Sequence, residues 1–335
     1  MDCSWTRAQI AIAAKCHPEA APMDYYGWLP STGCLRDLQR FGSGAAVAGP
    51  QVLSFLQSKN SDERLMGAIR FGVIHYRPAS SYLGKALDDP DWRVVYAAAR
   101  ALGRLRAAEA APHLRAVANT HWLPEVRRIA KASLEAMDVP PNMPTPALEP
   151  SERTVFYSGS TDDVDAYVLD EVAPCAQQIW QWQSTKFSKS RHAPDRNTVA
   201  ARIKNPPGLL TGINHREFGG GLVWHPDAGS SVALSRDLGV LGVEPDDNGA
   251  VFIAGLNHMG LNFGIAGALD RTAGARWSVR EIAHLPGEAT DMNSIGPGIF
   301  AAWSGPRVVV FNDQRILGLA TCKDTGPTYL SPGPE

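Results

Sequence analysis

Three histidines carry the first prospect of chemistry in this chain of 335 residues. His215 and His225 flank Glu217 and the run Gly219-Gly220-Gly221, and His258 follows within Asn257-His258-Met259-Gly260. An imidazole titrates near neutrality and ligates metals through its neutral nitrogen, so three of them beside a carboxylate could hold an ion or move a proton. None of their spacings is that of a tight metal motif, so His215, His225 and His258 are weak metal candidates and no cofactor is expected. The glycine run lacks the Lys-Ser/Thr of a phosphate loop. No Gly-x-Ser-x-Gly occurs, which leaves Ser235 and Ser304 without an elbow to expose and activate them. No catalytic residue is assigned. A hydrolase built from the groups around 215–258 is the alternative reading, and the chain is expected to be non-catalytic.

Five cysteines stand at 3, 16, 34, 175 and 322, with no Cys-x-x-Cys among them, so the usual zinc and redox spacings are absent. Two readings stay open. The thiols are buried in a reducing compartment, or an oxidising one bridges a pair within the N-terminal trio and joins Cys175 to Cys322. Cys16 and Cys34 are the candidates in the trio. The Cys175–Cys322 bridge would remove about 4–5 kcal/mol of unfolded-chain entropy, and one cysteine would be left over. Met1-Asp2-Cys3-Ser4-Trp5 lacks the basic and apolar stretches of a secretion signal. The expectation is a periplasmic or secreted protein in mature form, with the cytoplasm as the alternative.

Other residue types bear on binding rather than catalysis. Trp180 and Trp182 alternate with glutamines, so both rings share one face of an expected strand; buried rings at such positions anchor interfaces as readily as cores. Lys186, Lys189 and Arg191 follow in a polar loop, after an acidic patch at Asp162, Asp163, Asp165, Asp170 and Glu171. That patch lacks the glycine of an EF-type calcium loop and reads as solvated. Over the whole chain 32 Lys and Arg meet 34 Asp and Glu, a net charge of -2, which argues against nucleic acid as a partner. No apolar run approaches the roughly 18 residues of a membrane span.

The elements that must position these residues fall into two halves. From 45 to 138 apolar residues recur at 3–4 spacing: Leu65, Ala68, Ile69, then Val94, Val95, Ala98, Ala101, Leu102, then Val126, Ile129, Ala130. Between them lie breakers rich in Asp, Ser and Asn, which cap helices. Asp62-Glu63-Arg64-Leu65 and Asp91-Trp92-Arg93-Val94 lie 29 apart, and Pro124-Glu125-Val126-Arg127 opens a third unit. A fixed period of this size predicts stacked helix pairs. Residues 1–44 are expected to cap the stack with further helices at 4–16 and 34–41.

The stretch Leu87-Asp88-Asp89-Pro90-Asp91-Trp92-Arg93-Val94-Val95-Tyr96-Ala97-Ala98-Ala99-Arg100-Ala101-Leu102-Gly103 resembles the short bacterial HEAT-like repeat also found in phycobilin lyases. The resemblance implies an α-solenoid that binds another protein along one helical face, and a bacterial source. Deoxyhypusine hydroxylases, enzymes of similar build, need His-Glu pairs; this chain has none. Between 62 and 131 twelve Lys and Arg stand against seven Asp and Glu. Arg93, Arg100, Arg104, Arg127 and Arg128 are therefore expected to offer a mildly basic face to an acidic partner.

Residues 139–151, rich in proline, predict a semi-rigid linker. From 152 to 330 composition shifts to Gly, Trp and β-branched residues, with about thirteen short strand signals. An all-β domain, propeller-like or a sandwich, is expected. Asp270–Trp277 resembles an Asp-box hairpin turn, and Ser235–Gly239 resembles its core; both imply structure rather than catalysis. The chain reads as multidomain α plus β: a HEAT-like solenoid and a β domain acting as a protein-binding protein. An immunity-type inhibitor that occludes its partner is one form of that role, and a periplasmic assembly scaffold is another.

Overall fold

The computed structural model describes residues 42–138, 155–156 and 167–168, and 197–329 apart from 237, 248, 259–260, 272–275, 305–306 and 324–325. The expected capping helices, the proline-rich linker, the acidic patch, Trp180, Trp182, Lys186, Lys189, Arg191, Cys16, Cys34 and Cys175 lie outside those residues. The chain divides into two compact units near residue 151, helical before it and β after.

Among the described residues the helical unit is three helix pairs. A 3-10 turn (Gly42–Ala48) leads into α1 (Gly49–Leu56), which pairs with α2 (Ser61–Ile74). A short α3 (Ser80–Lys85), flanked by 3-10 turns, pairs with α4 (Trp92–Leu105). Then α5 (Ala111–Thr120) pairs with α6 (Pro124–Asp138). The second helices, α2, α4 and α6, lie side by side. Their starts are fixed by the breakers. The Asn60 side chain accepts hydrogen bonds from the Asp62 and Glu63 N–H groups at 2.8 and 3.1 Å, and Asp91 accepts from the Arg93 N–H at 2.9 Å.

Small residues set how closely the second helices approach. A Cβ on Gly72 would lie 3.0 Å from the Ala101 Cα, and one on Gly103 would lie 2.7 Å from the Ser133 Cβ. Gly67, which weakens the middle of α2, has the same reason: its Cβ would come within 3.1 Å of the Leu56 amide nitrogen of α1. Phe55, Phe71, Ile74, Leu83, Leu102 and Leu114 fill the core between the layers, each essentially without exposure.

The β unit is built of antiparallel meanders. A short pair, β1 (Val155–Phe156) and β2 (Tyr167–Val168), precedes three larger sheets. The first runs β3 (Thr198–Ile203), β4 (Gly208–Asn214), β5 (Gly220–Pro226), β6 (Val232–Ser235). The second runs β7 (Val240–Asp246), β8 (Gly249–His258), β9 (Leu261–Arg271), β10 (Trp277–Leu285). The third runs β11 (Ala289–Gly296), β12 (Ile299–Ser304), β13 (Arg307–Phe311), β14 (Ile316–Lys323), β15 (Gly326–Tyr329).

In each sheet sequence order is spatial order, and the first strand is an edge. These first strands meet: β7 packs against both β3 and β11. The unit is all-β, three separate antiparallel meanders with no closure into a barrel. The first two sheets share a core in which Leu210, Leu222 and Trp224 pack against Val240, Phe252 and Leu269. The Trp224 and Trp277 rings meet edge-on, 5.3 Å between centroids. β9 and β10 pair antiparallel from Arg271 and Trp277 onward, with residues 272–275 between them outside the described residues, whereas Ser235 ends the first sheet and Gly239 precedes the second.

Candidate functional site

The repeat that builds the helical unit also places its charges. Arg64, the fourth residue of α2, and Arg93, the second of α4, each reach into the neighbouring repeat. The Arg64 guanidinium donates to both oxygens of Asp89, at 2.7 and 2.9 Å. Arg93 answers it by pairing with Asp62 at 2.9 Å as well as with Asp91 at 2.6 Å. The bidentate Arg64–Asp89 pair and the Arg93–Asp62 pair cross in opposite directions and fix one repeat against the next with directional, charge-assisted bonds.

Arg127 repeats a second part of the pattern. Arg64 donates to the carbonyls of Ser58 and Lys59, six and five residues back. Arg127 donates to those of His121 and Trp122, at the same two separations. Each arginine closes the loop between the two helices of its pair by satisfying carbonyls at the end of the first. His121 takes part in the same loop, its Nδ1 accepting from the Leu123 N–H at 3.1 Å. Burial pushes its pKa down to about 4, so the ring is a neutral acceptor at neutral pH.

The remaining expected arginines divide by burial. Arg100 is buried beside Tyr96, whose hydroxyl burial pushes above its ordinary pKa against the pull of that guanidinium. Arg104 is half-buried and Arg128 is exposed. Arg93 and Arg127 thus hold the fold through the partners named above, and the accessible members of the expected set are Arg104 and Arg128. Sequence spacing located all five as repeat positions, yet could not tell a guanidinium turned toward a neighbouring repeat from one turned to solvent.

The distribution of charge is informative. The buried charged residues of the helical unit cancel, with Glu63, Asp91 and Glu125 against Arg70, Arg93 and Arg100. The cationic surplus between 62 and 131 therefore lies entirely on accessible residues. Arg115 on α5 and Arg128 and Lys131 on α6 are exposed, the latter two a turn apart on one face. The sequence reading passed over Arg115 and Lys131; exposure was the missing signal.

In the β unit His215 and His225 do not come together. His215 follows β4, and His225 lies near the far end of β5, where its Nδ1 is 2.8 Å from the Ser231 hydroxyl. The length of β5 separates them by roughly 17 Å at the rise of a strand, so one ion cannot take both. His258 ends β8, and Cys322 lies on β14. Among the described residues no helix is long and apolar enough to cross a membrane.

No curated protein matches the chain. The family model of HEAT repeats matches residues 49–135, which run from the start of α1 almost to the end of α6. With three stacked helix pairs, repeat-equivalent arginines and small residues where the second helices touch, residues 49–135 form HEAT-like repeats.

Proposed function

We propose that the chain is a non-catalytic recognition protein whose HEAT unit docks an acidic surface of a partner protein. Solenoids of this kind present an extended face built from successive repeats, and their function is generally to bind other proteins along it. The observation that carries the reading is the charge distribution: three buried acids cancel three buried arginines, and the surplus remains accessible. A surface that is positive while its interior is neutral attracts a negative partner and speeds the encounter.

The test is the full-length chain immobilised as bait for the proteome of its source, beside the variant Arg128→Glu/Lys131→Glu. A near-stoichiometric partner is expected, released by moderate salt as exposed charges are screened and retained poorly by the variant. Equal retention by both proteins overturns the acidic-partner reading. An immunity-type role is the narrower form of this proposal. It requires that the captured partner be an enzyme and that the chain abolish its activity at equimolar ratio.

A further inference from the structure

Where the first strands of the three large sheets meet, the β unit holds a cavity of about 410 Å³. Its walls come from the start of β3 (Thr198 and, just before it, Asn197), the end of β4 (Asn214), and the approach to and start of β11 (Glu288, Thr290). Arg216 closes one side, while Val199, Val240 and Leu241 give the cavity an apolar part. The volume is that of a small-molecule site, and the lining is unlike a packing defect. Hydroxyls, amides, a guanidinium and a carboxylate converge on one space, with aliphatic surface beside them.

Arg216 is placed there at a cost. Its φ is 58°, in the left-handed region that favours glycine. The turn around it holds that conformation: the Arg216 N–H donates to the Asn214 side chain at 2.7 Å, and the His215 N–H donates to the Gly219 carbonyl at 2.7 Å. Gly219 has φ 85°, and a Cβ on Gly220 would collide with the Ile213 carbonyl oxygen, 2.1 Å away. The glycine run that fails as a phosphate loop is what lets this turn close. A strained residue persists where its surroundings over-determine it, and such residues cluster at binding sites. An arginine kept where glycine fits better points to use of the side chain.

Charge narrows the ligand. Burial raises the pKa of the Glu288 carboxyl, and the positive charge of Arg216 opposes that rise, so the two groups act on each other across the cavity. An ionic ligand would have to displace that mutual compensation. A neutral ligand can hydrogen-bond to both groups and leave it in place. The remaining lining offers donors and acceptors around an aliphatic patch, which matches a ring with hydroxyls at its edge and C–H groups on its face.

We propose that this cavity is a binding site for a neutral polyhydroxylated ligand of the sugar class, with Arg216, Glu288, Asn214 and Thr290 as its hydrogen-bonding residues. The site is separate from the HEAT surface and does not depend on that surface's function. Saturation-transfer NMR on the full chain tests it, with glucose, galactose, mannose and N-acetylglucosamine, their disaccharides, and glycine and acetate as ionic probes. At least one sugar is expected to bind and the ionic probes are not. Arg216→Gly removes the guanidinium and relieves the backbone, and Thr290→Val removes a hydroxyl at constant shape. Each is expected to weaken sugar binding about tenfold, the effect of losing one well-made hydrogen bond, with the melting temperature of Arg216→Gly at or above that of the parent. Failure of every sugar to bind, preferential binding of glycine or acetate, or sugar binding unchanged in both variants overturns the proposal.

Discussion

At His75 the backbone has φ 52°, and at Arg106, 31 residues on, φ is 50°. Both residues cap the second helix of a pair in the left-handed conformation that glycine adopts without cost. His75 is exposed, so His75→Gly is expected to raise stability by about 0.5–1 kcal/mol, read as an upward shift of the urea midpoint. A fall would show that the imidazole makes a contact the fold needs. His121 works in the opposite sense. Its folded pKa of about 4 lies below the ordinary value of about 6.5, so the unfolded chain takes up the proton first as pH falls. Its contribution is complete above about pH 6.5 and is lost progressively toward pH 4, on the order of 3 kcal/mol at most. His121→Asn, which keeps an acceptor for the Leu123 N–H, is expected to flatten this part of the stability profile. An unchanged slope in the variant would assign the pH dependence elsewhere.

Between elements, Gly103 of α4 meets α6 where a side chain has no room. Gly103→Val would drive a branched side chain into Ser133 of α6, whose Cα lies 2.9 Å from even the first added carbon. The expected cost is about 1–3 kcal/mol, measured by chemical denaturation; no loss would mean that α4 and α6 separate freely. The period, read as 29 from the Asp62 and Asp91 segments, is 31 between the helix caps Asn60 and Asp91. The second helices were legible in the sequence because a buried stripe at 3–4 spacing is written in residue types. The strands β7 and β11 were not. Pro245 and Gly242 interrupt β7, which tolerates proline because only β8 pairs with it, and a bulge between Val240 and Gly242 breaks its alternation. Thr290, Asp291, Asn293 and Ser294 make β11 read as a loop, and it is bulged at both ends. These are the strands on which the three sheets converge, and they supply part of the cavity lining. The site was hidden because the elements that build it depart from the pattern by which strands are recognised.

At the scale of the molecule the two units carry opposite responses to acid. In the β unit burial raises the pKa values of Glu244 and Asp291, with the charge of Asp291 adding to the rise at Glu244. For a carboxyl whose folded pKa is raised, stability grows as pH falls through that value toward the unfolded one. Mild acid is therefore expected to strengthen the β unit while the neutral His121 weakens the helical one, and hydrogen exchange by segment resolves the two trends. Exchange that accelerates in both units together would contradict this assignment.

The same technique addresses the recognition role most directly, through exchange on the full chain alone and in complex with the partner it captures. The expected result is slowed exchange over 111–138, around Arg115, Arg128 and Lys131, with the pattern restored to that of the free chain at high salt. Protection confined to 197–329, or none within 49–138, would contradict the proposal that the HEAT unit is the docking surface.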